Sequence, residues 1–109
     1  MAKVAQHVRY YPGDVVIEED DLTGRNYAEW FLCLVEEGSV EIVRRGEVKH
    51  EVMVGHYFGA IPMFSGKPAK ATARVKEQCK IFRLPEDVVK RLDKEVIETI
   101  LAGAGNKYL

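Results

Sequence analysis

The chain has 109 residues, of which 47% are hydrophobic and 30% charged, and a formal net charge of -1. This is the balance of a folded globular protein built around one core and needing no metal or disulfide support, and it excludes a disordered chain. Near-neutral charge excludes a bulk attraction to nucleic acid or acidic membranes, no segment reaches the roughly 18 consecutive apolar residues of a membrane span, and the start shows no apolar signal core. A single cytoplasmic domain spanning residues 1–109 is expected.

In chain order, Val8 to Tyr11 and Val15 to Ile17 are apolar, β-branched or aromatic runs separated by Pro12-Gly13-Asp14, which predicts strand, turn, strand. The acidic stretch Glu18 to Asp21 with Thr23 to Asn26 predicts a solvated loop, because the spaced oxygen ligands of a calcium loop are missing. Trp30 to Val35 is the most apolar run, and its length favours a strand buried on both faces. Glu36 to Ser39 predicts a turn, and Val40 to Val43 with Val48 to Val54 predict a hairpin around Arg44-Arg45-Gly46-Glu47. Alternation in the second arm places Val48, His50, Val52 and Val54 on one side.

Ala71 to Leu84 reads as a strand with a polar break at Lys76-Glu77-Gln78. The period changes after Pro85: a proline in the first turn followed by Glu86 and Asp87 suits a helix N-terminus. Val88, Val89, Leu92, Val96, Ile97, Ile100 and Leu101 then form one apolar face, with a break near Asp93 and an end at Gly103 and Gly105. The fold class is therefore all-β: a jelly roll or double-stranded β-helix with strands over about residues 3–84, a C-terminal helix over about 85–102 and a tail at 103–109. Cys33 and Cys79 sit inside apolar runs and are expected as reduced, buried thiols.

Between two of these strands lies Val54 to Val75, two glycine-containing turns, a short apolar segment and an Ala- and Lys-rich loop, a backbone expected to be able to fold over a small ligand. Gly55-His56-Tyr57-Phe58-Gly59 is similar to the G-x-x-F-G signature of the cyclic-nucleotide-binding domain family. Pro68-Ala69-Lys70-Ala71-Thr72-Ala73 is similar to the segment closing that family's phosphate-binding cassette. Pro12 to Ile17 and Leu32 to Val40 resemble its first turn and its glycine-linked strands. The resemblance implies a β-roll sensor in which a Glu after F-G holds the ribose hydroxyl and a cassette Arg holds the phosphate. Here Ala60 stands at the Glu position and Ala69 at the Arg position.

Each lost charge-assisted bond is worth roughly 1.5–3 kcal/mol, so both together remove about two to four decades of affinity. Lys70 offers a point charge but starts on the opposite face of a strand from Ala69. The resemblance thus implies a non-catalytic regulatory or ligand-sensing domain with weak binding of cAMP or cGMP and no resident cofactor. Its pocket is expected from Phe58, Gly59, Ala60, Ile61, Ala69, Lys70, Ala71 and Thr72, with backbone amides, the Thr72 hydroxyl and Lys70 as polar contacts and the helix as a lid. Met63 and Phe64 read as core or pocket wall, and Pro62 as a late helix start.

Two alternatives stand beside it: a cyclic-nucleotide sensor relying on Lys70 and backbone amides, and a cupin-like metalloenzyme. His50 and His56 are six residues apart and the chain has no His-x-His pair, so no metal site is expected. The expected partner is a small molecule or a protein, with a homodimer possible and no nucleic acid or membrane. Residues 106–109 are expected to fray, the alternative being that Tyr108 or Leu109 fills the pocket.

Overall fold

The computed structural model describes residues 5–20, 31–60, 63 and 68–102. Trp30, Ile61, Pro62, Phe64, most of the acidic loop and the 103–109 tail lie outside the described residues. The described elements are β1 (Gln6–Tyr10), β2 (Val15–Ile17), β3 (Phe31–Arg44), β4 (Glu47–Val52), β5 (Tyr57–Phe58), β6 (Thr72–Pro85), α1 (Glu86–Val89) and α2 (Lys94–Leu101). All pairings are antiparallel, in the order β1, β6, β3, β4, with β2 on β6 and β5 on β3.

Two strands of 14 residues each, β3 and β6, run the length of the sheet and pair with each other. Each bends where the register slips, between Val35 and Val40 on one strand and between Ile81 and Val75 on the other. Here the structure corrects the expected turn at Glu36 to Ser39. The glycine does not reverse the chain; Gly38, at φ +81, lies against the backbone of Gln78 and bulges a continuous strand. Ser39 is fully buried at the bend, its hydroxyl donating to Glu77 Oε1 at 3.3 Å, while the Cys79 thiol donates to the Ser39 carbonyl at 3.1 Å.

The predicted turn at Pro12-Gly13-Asp14 forms. Asp14 N–H donates to Tyr11 O at 3.0 Å, and Gly13 N–H donates to Val75 O at 2.9 Å, which docks the turn on β6. Val16, Ile17, Phe31, Cys33, Val35, Val40, Ile42, Val52, Phe58, Ala71, Ala73, Val75 and Ile81 fill the barrel core. Cys33 and Cys79 are both buried thiols. On β4 the expected four-residue face reduces to Val52, because Val48 and Val54 are about half exposed. The bulge between Ile42 and Val43 shifts the register, and among the described strands β4 has only β3 beside it, so the strand's first residues run past the core.

The C-terminal helix is broken where the sequence suggested. Pro85 is the last residue of β6 and caps α1, and Asp93, extended at ψ 146, starts α2. Of the seven apolar helix positions only Val89 and Ile100 are buried. They pack with Leu32, Ala60 and Met63 in a second apolar cluster, on the opposite face of β3 from Phe31 and Cys33.

Candidate functional site

Gly59 turns the chain sharply after β5, at φ +93, a conformation costly for any residue with a side chain. A β-carbon there would meet Phe31 O at 2.8 Å and Ile17 Cδ1 at 3.2 Å, so the cassette backbone lies directly on β3 and β2. Phe58, paired with Cys33, points into the barrel and is fully buried.

The expected pocket residues divide between two places. Ala69 and Ala71 join Phe58 in the barrel core, whereas Ala60 is buried in the second cluster against Leu32, Val89 and Ile100. The period-two pattern along 69–75 is clear: Ala69, Ala71, Ala73 and Val75 are buried, while Lys70 and Arg74 are exposed. Lys70 therefore stands on the outer side. Ile61 is outside the described residues.

Thr72 is half-buried and already engaged. Its hydroxyl accepts the Glu19 N–H at 3.0 Å, the neighbouring Asp20 N–H donates to Ala69 O at 2.8 Å, and the Glu19 carboxylate accepts the Arg45 N–H at 2.9 Å. These bonds tie the chain after β2 across the start of β6 and onto the hairpin tip. Asp20 adopts φ +59 and Arg45 φ +52 to make them. The acidic stretch around Glu19 predicts a solvated loop, and a short-range pattern gives no sign of this role.

Among the described residues, Ser39 is the only buried polar one, so Phe58, Ala69, Ala71 and Ala73 offer methyls and aromatic carbon rather than charge. The sequence reading passed over one guanidinium. Arg83 continues the alternation of Cys79 and Ile81, both buried in the core, and pairs across the sheet with Cys33. Its guanidinium carbon lies 4.3 Å from the centroid of the Phe31 ring, and its Nη1 donates to the Tyr10 hydroxyl at 3.4 Å. Burial raises the Tyr10 pKa above the ordinary phenol value, against the lowering effect of the nearby Arg83 charge. The signal lay in Cys79-Lys-Ile81-Phe-Arg83, where a period of two puts the arginine on an apolar face.

An antiparallel roll of two bent long strands, closed by a glycine-led cassette and a broken helix, defines a ligand-binding β-roll class. The profile described as "Cyclic nucleotide-binding domain" matches residues 7–95, and the chain belongs to that family. It is 33% identical over 97 residues to a cAMP-dependent protein kinase regulatory subunit of Blastocladiella emersonii, a match covering 84% of this chain but 23% of that protein. The regulatory domain of Toxoplasma gondii PKA, solved with cAMP, superposes with a TM-score of 0.73 at 20% identity, over 89% of this chain and 37% of that one. The regulatory subunit of a cAMP-independent protein kinase A from Trypanosoma cruzi, bound to guanosine, gives a TM-score of 0.70 at 19% identity, over 81% of this chain and 30% of that one. The chain thus spans about a quarter to a third of these relatives' lengths. Among the described residues no helix is long and apolar enough to cross a membrane.

Proposed function

We propose that this chain is a non-catalytic, cytoplasmic ligand-sensing module, a single β-roll unit in which the cassette no longer grips a cyclic phosphate. The observation that carries the reading is the pair of alanines at the two family grip positions. Ala60 is fully buried and Ala69 is 1% exposed, so each occupies a place where a charged side chain would face the interior rather than solvent. Losing both grips leaves affinity for cAMP or cGMP about two to four decades below that of a domain possessing them.

The ligand lies against Phe58, Gly59, Ala69, Ala71 and Thr72, and Lys70 acts only from the rim. A changed ligand has a parallel in the Trypanosoma cruzi neighbour, a regulatory subunit described as cAMP-independent and bound to guanosine, a molecule without a phosphate. Binding is read out through Ala60, because it packs on Val89 and Ile100 and so couples the cassette to α1 and α2. The partner is a protein that senses helix position, with no nucleic acid or membrane involved.

Calorimetric titration with cAMP, cGMP, cyclic dinucleotides and guanosine tests the reading. Cyclic nucleotides are expected to bind no tighter than millimolar. Micromolar binding of cAMP or cGMP, lost on Lys70→Ala, would establish the alternative sensor that relies on that lysine.

A further inference from the structure

Arg83 is the one described residue that combines a charge, a core-facing position and an unmet hydrogen bond. Its Nε is buried and has no hydrogen-bond partner, the only such side-chain atom among the described residues. None of the described ion pairs involves it. An N–H withdrawn from water without an acceptor is costly unless something supplies one.

The two contacts described for it leave Nε–H without an acceptor. Nη1 is taken by Tyr10 and one flat face lies on Phe31, whereas Nε–H and Nη2 form the side-on fork that matches two oxygens of a carboxylate or phosphate. Phe31 and Tyr10 fix the plane of the group, so its donors are aimed in advance. Phe31 also joins this place to the cassette, since its carbonyl is the atom against which Gly59 is pressed.

We propose that Arg83 is the anion anchor of this barrel, binding the oxyanion head of a small organic ligand whose apolar body lies on the Phe31 and alanine wall. The inference rests on the reading that the barrel holds a ligand, and it moves the charged grip from the cassette to β6. The ligand carries a carboxylate or a phosphate, and Tyr10 acts as a positioning residue for the guanidinium.

The test follows the Arg83 Nε–H resonance by NMR in the full chain, while benzoate, inorganic phosphate and adenosine 5′-monophosphate are titrated in turn at millimolar concentration. At least one is expected to shift that resonance and raise the melting temperature, and the panel separates carboxylate from phosphate. Arg83→Lys keeps the charge but loses the fork, and is expected to weaken binding at least about tenfold. Tyr10→Phe, which keeps the ring, is expected to weaken it less and to broaden the Nε–H signal. No shift with any probe, or an affinity unchanged in Arg83→Lys, would overturn the proposal. Such a result would leave the cassette reading to be judged by the cyclic-nucleotide titration and Lys70→Ala.

Discussion

The carbonyl oxygen of Phe31 lies where a side chain on Gly59 would begin: a β-carbon there would stand 2.8 Å from it. Strain and collision therefore act together at this position. Gly59→Ala is expected to destabilise the fold by about 2–4 kcal/mol, combining a non-glycine residue at φ +93 with a clash against backbone that cannot swing aside. Gly46→Ala, with positive φ but open space around it, is expected to cost about 1 kcal/mol. Urea unfolding of the two variants checks the order.

Replacing Ala69 with arginine is expected to return what the cassette lacks. One charge-assisted phosphate contact is worth roughly 1.5–3 kcal/mol, so Ala69→Arg should tighten cAMP binding about ten- to hundredfold. The same change puts a cation where the side chain is 1% exposed, so the ligand-free variant should melt lower and recover with cAMP. Lys70→Ala, on the exposed side, should change stability by less than about 0.5 kcal/mol. Calorimetry and thermal melts on both variants supply the comparison.

Much of the roll was legible before any coordinates, and the misses have physical causes. Pro12-Gly13-Asp14 announced its turn because proline and glycine fix local geometry wherever they fall. The run Trp30 to Val35 announced a buried strand because six apolar residues in succession have few other uses, and its described part, Phe31 to Val35, lies in β3. Gly38 misled, since a positive φ serves a turn and a bulge equally, and only the partner strand decides between them. Val48 and Val54 misled because alternation reports which side a residue takes, not whether anything lies beyond it. The cassette alanines were visible by position. The bonds from Glu19 and Asp20 to the start of β6 were not, because they join segments some fifty residues apart.

Ala60 marks the contact between cassette and helices. Ala60→Glu is expected to place an unpaired carboxylate against Leu32, Val89 and Ile100, costing about 3 kcal/mol and loosening α2. Ile100→Ala should loosen the same helix by removing apolar bulk, at about 2 kcal/mol, the low end for a residue 8% exposed. Hydrogen exchange should rise over α1 and α2 in both variants while the β3–β6 ladder stays protected.

Alkaline pH should weaken the fold through Cys79 and Tyr10. Burial is the largest cause for each and raises both pKa values above their ordinary ranges. A group whose folded pKa is raised contributes stability that is complete below its unfolded pKa and is lost as pH rises through the folded one. Stability should therefore begin to fall above about pH 8.5 for the thiol and about pH 10 for the phenol. In Cys79→Ala the first part of the fall should disappear, which denaturant melts between neutral pH and about pH 10 would show.

The length of the β3–β6 ladder also governs how the chain reaches this shape. β4, β5 and the whole cassette lie between the two partners, so neither can find the other by a local turn. The β3–β4 hairpin, closed at Arg45-Gly46, is the pairing that forms cheaply; β6 must then return over a long loop to complete the barrel. Refolding is accordingly expected to be slow for a chain this small, on the order of milliseconds to seconds. Its rate should respond to substitutions at the Gly38 bend more than to changes in α1 or α2, whose buried residues pack in a second cluster apart from the barrel core.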